Sequence, residues 1–339
     1  MTAISRLFSY RSSLTALGLL LATPACILDG PPTSPPAGID GALDEGGCAP
    51  EECGTNGVIL ADQRFSPLDL RDGDNGRGLL FTGFVDRDGL EWALQVEEGQ
   101  WVARSWNDGS VRLRGQQLVG GALLVTRTTG TGETRHVRLQ LHDLVALPHF
   151  SDRAGGMPAY RMTQAPEDRP DDQRSLCPDD QRVVLVVGEQ YDARTLDIGT
   201  AADDHWVELA CQEHLLGKAK RMSYDPAIPV GDRQHTSTHQ RRATLAMLAA
   251  DYCGDGRRFT TPGTPIQWRN RGDWMTVGTP AEGEARLEAG WTSDGALCLG
   301  TPRRADLYPK AAIEHACGRT LPTCTPELLR AAEWVTWVP

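Results

Sequence analysis

The sequence predicts an α+β fold that is mostly β: an antiparallel β domain over residues 57–150, then a disulfide-stapled α+β domain over 177–339. Three observations predict it. Turn residues punctuate residues 58–146 at short intervals, helix start signals appear only in the C-terminal half, and eight cysteines follow an N-terminal export pattern. An oxidising compartment makes such cysteines disulfide candidates.

Residues 1–25 read as a signal peptide. The apolar run Leu14 to Ala22 follows Arg6 and Arg11 and is too short for a spanning helix, which needs about 20 residues. Thr23-Pro24-Ala25-Cys26 is similar to the lipobox of bacterial lipoproteins, in which the cysteine is acylated and becomes the new N-terminus. An aliphatic residue is usual where Thr23 stands, so ordinary cleavage after Ala25 is the alternative. Cysteine parity favours lipid at Cys26. Of nine cysteines, removing Cys26 leaves Cys48, Cys53, Cys177, Cys211, Cys253, Cys298, Cys317 and Cys324, an even set. Residues 26–56 form a tether: prolines that cannot donate an N–H, then the Gly-rich acidic stretch holding Cys48 and Cys53. Ile27, where a retained inner-membrane lipoprotein often carries an acidic residue, points to the outer membrane.

Roughly 280 residues remain beyond the tether, enough to bury about three quarters of their unfolded surface. The net charge of −11, without a basic stripe, argues against nucleic acid as a partner.

In the β domain, Asp86-Arg87-Asp88-Gly89, Glu98-Gly99, Asn107-Asp108-Gly109 and Gly130-Thr131-Gly132 separate strand-like runs at 79–82, 92–96, 101–103, 122–126 and 137–141. Asp-Gly and Asn-Asp-Gly supply the positive backbone angles of hairpin turns. Residues 151–176, polar and Pro-containing, read as a linker. Two further strands follow, the apolar 182–188 and the alternating 205–211.

A helix is expected after Ser237-Thr238, with Leu245, Leu248, Ala249 and Tyr252 recurring on one face and Gly254 as C-terminal cap. A last helix begins at Thr325-Pro326 and presents Leu328, Ala331, Ala332 and Val335.

Ala250-Asp251-Tyr252-Cys253-Gly254-Asp255-Gly256, Gly263-Thr264-Pro265-Ile266 and Trp291-Thr292-Ser293-Asp294-Gly295-Ala296-Leu297-Cys298 resemble the ADYC domain of bacterial exported proteins and lipoproteins. The resemblance covers roughly residues 175–325. That family has no assigned activity, so the resemblance implies a domain and no mechanism. Lys218-Ala219 stands where relatives tend to carry Lys-Cys, and Thr244 where they tend to carry a cysteine. Their joint loss is what a disulfide between those two positions in relatives would give.

Cys253, with Asp251, His235 and His239 nearby in sequence, suggests a nucleophile with base and orienter. A disulfide is the simpler reading in an oxidising compartment. Local closure suggests sequential pairing: Cys48 with Cys53, Cys177 with Cys211, Cys253 with Cys298, Cys317 with Cys324. Asp251, expected in the last turn of its helix, opposes the macrodipole there and needs a cation, for which Arg257 or Arg258 is nearest. Tyr252 reads as a core residue with its hydroxyl bonded.

His235 and His239 at i, i+4, Cys211 and His214, and Cys48 with Cys53 are partial ligand spacings, but none completes a four-ligand zinc set. No metal or cofactor is expected. Asp72-Gly73-Asp74-Asn75-Gly76 begins like a calcium loop, yet Arg77 and Gly83 replace its required Gly and Glu, so it reads as a turn. Nucleophile-elbow, P-loop and dinucleotide motifs are absent.

The expected function is a non-enzymatic structural or binding role for an exported, membrane-tethered envelope lipoprotein. Membrane contact is through the N-terminal lipid, and the ligand is a protein or glycan, for which some of the nine tryptophans provide flat contact surfaces. The alternative is a cysteine- or metal-dependent hydrolase or redox enzyme using Cys253 or a His/Cys site.

Overall fold

A computed structural model of the chain describes residues 57–339 apart from 62, 72, 107–108, 110–111, 151–155, 200–204, 227–228, 231–233, 262, 273–275 and 278–284. The signal, the tether, Cys26, Cys48 and Cys53 lie outside the described residues. The described residues fall within one compact unit.

The hairpin signals of the N-terminal half do build antiparallel strands. Leu79–Val85, Glu91–Glu97, Gln100–Arg104, Ala122–Thr128 and Thr134–Pro148 pair with their sequence neighbours. They belong to an eleven-stranded sheet that continues through Gly156–Pro166, Val183–Val187 and Trp206–Cys211 to Leu68–Asp69. Residues 156–166, within the stretch read as a linker, are therefore a strand. They pair with Thr134–Pro148 along their full length, from Gly156↔Pro148 to Pro166↔Val137. On the other side the same strand meets Val183–Val187 only at Tyr160↔Val183.

All five residues of Val183–Val187 are buried, because this strand has a core on each face. Val183, Leu185 and Val187 join a cluster with Phe65, Phe84, Trp101, Leu139, Tyr160 and Leu209, drawn from strands along the whole sheet, which curls around it. Val184 and Val186 face the opposite way, into a second cluster with Met157, Ala159, Leu245, Tyr252, Trp291 and Trp334. The two cores share one sheet as their common wall.

The second core is closed by helices and a five-stranded antiparallel sheet of Thr276–Val277, Gln267–Asn270, Trp334–Val338, Arg286–Thr292 and Gly295–Leu299. Helix α1 (Leu215–Arg221) packs on helix α2 (Thr238–Ala249). Ser237 caps α2, its side chain accepting from the Gln240 N–H while Gln240 reaches back to the Ser237 N–H. The expected single apolar stripe is replaced by burial nearly all round, Arg241 and Arg242 included. Ala219 on α1 and Thr244 on α2 are both buried in this pair, and the Thr244 hydroxyl accepts from the Trp334 indole at 2.9 Å.

Helix α3 (Lys310–Cys317) precedes α4 (Pro326–Ala331), which starts at Thr325 as expected. The expected α4 stripe stops short of Val335. Trp334–Val338, a run of aromatic and β-branched residues, leaves the helix and becomes the central strand of the second sheet.

Candidate functional site

The segment carrying the sequence resemblance begins where α2 ends. Ala250 adopts the left-handed conformation at φ 53° and closes the helix, so Asp251 and Tyr252 lie beyond it, not on its last turn, and the cap is Ala250 in place of Gly254. The chain then turns sharply through Gly254 and Gly256, both at positive φ. A methyl group on Gly254 would overlap the Asp294 carbonyl, and one on Gly256 the Arg194 carbonyl. Glycine is required there because two other backbone segments touch the turn.

Asp251 organises that turn. One carboxylate oxygen accepts from the N–H groups of Gly254 at 2.8 Å and Asp255 at 3.2 Å; the other accepts from Gly256 at 2.9 Å and from Arg242 Nη2 at 3.1 Å. The cation is thus Arg242 on the preceding helix, not Arg257 or Arg258. Arg257 pairs with Asp255, and Arg258 donates to the Ala193 carbonyl at 3.2 Å. Arg242 also donates to the carbonyls of Thr195 and Gly254. Burial raises the Asp251 pKa against the opposing pull of Arg242 and the turn N–H groups.

Tyr252 is fully buried and stacks on Trp291, ring centroids 5.0 Å apart. Its hydroxyl donates to Glu288 Oε1 at 2.6 Å and accepts from the Arg303 N–H at 3.3 Å. Arg303 grips Glu288 through Nε at 2.6 Å and Nη2 at 3.1 Å and also donates to the Met247 carbonyl. Burial, and then the Glu288 charge, push the phenol far above its ordinary range. Arg319 spans the other side, its Nη2 within 3.5 Å of the carbonyl oxygens of Tyr252, Cys253, Asp294 and Ala296. Glu288, Arg303, Arg319 and Arg242 carried no signal of their own in the sequence.

Cys253 is bonded to Cys317 and Cys298 to Cys324, whereas Cys177 pairs with Cys211 as expected. The sequential pairing of the last four cysteines is therefore replaced by a crossed one. Cys317 ends α3 and Cys324 precedes α4, and each is stapled to a different part of the site: Cys317 to the turn, Cys324 to the strand Gly295–Leu299.

The histidines lie apart from this network. His235 is exposed next to the start of α2, and His239 is exposed with Nδ1 3.3 Å from Ser293 Oγ. His214 caps α1 beside Gly57; burial lowers its pKa, with Lys218 and Arg258 adding to the effect. Among the described residues no group of three His, Cys, Asp or Glu is placed to hold a metal. Residues 73–79 form a turn built on the Asn75 amide, which accepts from Arg77 and Leu79 and donates to Ser66 and Pro67. Trp101, Trp291 and Trp334 are core residues; Trp106 is 66% exposed.

Two clefts open on the surface. The larger, about 750 Å³, runs past Arg135, His136, Gln164, Glu167 and Arg169 at the end of the long sheet. The smaller, about 450 Å³, abuts the motif network, with Arg303 in its wall beside Thr261, Thr264, Arg286 and Arg304.

The ADYC domain model matches residues 115–305. It begins upstream of the start expected from the motifs and takes in the strands from Ala122–Thr128 to Gly156–Pro166, which share a sheet with Val183–Val187. No curated protein and no solved structure matches the chain.

Proposed function

This chain belongs to the ADYC domain family, and from that premise we propose that it is an exported envelope lipoprotein with a non-enzymatic structural or binding role, held by lipid at Cys26, on the outer membrane. The observation that carries the reading is the state of the motif. The Asp251 carboxylate, the Tyr252 hydroxyl and the Cys253 sulfur, the groups a catalyst would use, are each committed to internal partners. Such a motif holds a fold together, and leaves recognition to surfaces around it. The three disulfides among the described residues support an oxidising location. No helix among the described residues is long and apolar enough to cross a membrane, and the attachment proposed is through lipid at the N-terminus. One acyl chain binds only marginally and two or more anchor stably.

Intact mass of protein purified from its native envelope, with and without reduction and alkylation, tests the reading. The expected result is a chain starting at Cys26 with a lipid-sized addition and no thiol alkylated before reduction. A chain without lipid that is alkylated at Cys253 would put the cysteine-enzyme reading in its place.

A further inference from the structure

We propose that the cleft beside the motif network is a binding site for a small oxyanion group, a phosphate or carboxylate, gripped by Arg286 and Arg303. The inference goes beyond the tethered-module reading and does not depend on lipid at Cys26. It starts from charge. The chain as a whole carries −11, yet three arginines, Arg286, Arg303 and Arg304, line one cleft of about 450 Å³.

The three are not equivalent. Arg304 is committed on all sides, with Nε and Nη2 on the Asp306 carboxylate at 3.0 and 2.9 Å and Nη1 on the Thr261 hydroxyl. It shapes the wall. Arg303 is held from behind by Glu288 and the Met247 carbonyl through Nε and Nη2, which leaves its Nη1 without a hydrogen bond to the described residues. Its side chain is 2% exposed, so the guanidinium is fixed in place before any ligand arrives. Arg286, at the start of its strand opposite Val338, is exposed and makes no ion pair or hydrogen bond with the described residues. Glu288 answers Arg303 and Asp306 answers Arg304, while no acidic side chain among the described residues pairs with Arg286.

The rest of the wall is Pro265, Asp306, Val338, Pro339 and a short polar loop. In that loop the Thr261 and Thr264 hydroxyls lie 3.1 Å apart, Thr264 donating to the Thr261 carbonyl. Gly263 stands at φ 80° with open space where a side chain would project, so its backbone is accessible from the cleft. A fixed guanidinium beside an exposed one is an arrangement that recognises planar or tetrahedral oxyanions by charge-assisted hydrogen bonds.

The test uses the full chain and titrates inorganic phosphate, and in a second arm citrate, against chloride at matched ionic strength by calorimetry. Saturable binding of either anion above the chloride control is expected. Arg286→Ala should weaken it at least tenfold, Arg286→Glu should abolish it, and Arg286→Lys should retain part of it. Because Arg286 is exposed and unbonded, these variants should keep the wild-type circular dichroism and melting profile without ligand, which separates loss of the site from loss of the fold. The proposal fails if neither anion exceeds chloride, or if Arg286→Ala and Arg286→Glu bind as the wild type does.

Discussion

Asp251 and Arg242 meet across the end of the helix that separates them, at 3.1 Å, and both are buried. Helix α2 thus ends in an ion pair between its own interior and the turn that follows, with three backbone N–H groups completing the carboxylate's partners. The pairing depends on the left-handed Ala250, which turns the chain back toward Arg242.

Replacing Asp251 by Ala should be costly. It removes the acceptor of the Gly254, Asp255 and Gly256 N–H groups and leaves the buried Arg242 with the exposed Asp197, at 3.6 Å, as its anion; a loss of about 2–5 kcal/mol is expected. Urea unfolding should show the midpoint falling at unchanged slope. A loss under about 1 kcal/mol would mean that the turn does not depend on the carboxylate.

The pH dependence carries a sign of its own. The folded-state pKa of Asp251 is raised, so the native state holds the proton more tightly than the unfolded chain does. Its contribution to stability is full below the ordinary carboxylate pKa and is lost as pH rises through the raised value. A ¹³C titration of the Asp251 carboxyl should give a midpoint above 3.8, and the difference in stability between wild type and Asp251→Asn should shrink over the same interval. A midpoint below 3.8 would reverse the assignment.

Tyr252→Phe removes one hydroxyl from a buried network but leaves Glu288 paired with Arg303 through two bonds. A loss of about 1–3 kcal/mol is expected, chiefly for the buried Arg303 backbone N–H left without its acceptor, since Glu288 Oε1 keeps its bond from Arg303 Nε. Tryptophan emission from Trp291, stacked on that ring, should report the same transition as circular dichroism. Separate transitions would show that the network opens on its own.

Peptide mapping without reduction should recover Cys253 linked to Cys317 and Cys298 linked to Cys324. Each bond is worth about 2–4 kcal/mol, so the double variant Cys253→Ser, Cys317→Ser should lower the melting temperature and leave the other link intact. Recovery of Cys253 with Cys298 would sink the crossed arrangement.

Much of the β architecture was legible because local chemistry decides it. Asp-Gly and Gly-rich turns fall between the strands they connect, and the Ser237 and Thr325 caps mark where α2 and α4 begin. The strand Gly156–Pro166 was hidden by Pro158 and Pro166, which usually argue against a central strand. Here the strand is paired away from Thr134–Pro148 only at Tyr160, Thr163 and Gln164, so near Pro158 it behaves as an edge. At the site, the role of Asp251 as a buried carboxylate needing a cation was readable, but its partner was not. Arg242 sits in a helix whose arginines look solvent-facing until the second core forms around that helix. The crossed disulfides depend likewise on α3 folding back over the turn, a tertiary fact with no local signature.

The crossed order of those disulfides has a consequence for what a backbone cut can do. Because Cys253, Cys298, Cys317 and Cys324 alternate between the two bonds, a protease that cuts the chain once, anywhere between Cys253 and Cys324, releases nothing. The severed ends remain joined through at least one sulfur bridge, so a single nick would leave the molecule covalently whole until a reductant or a second cut arrived.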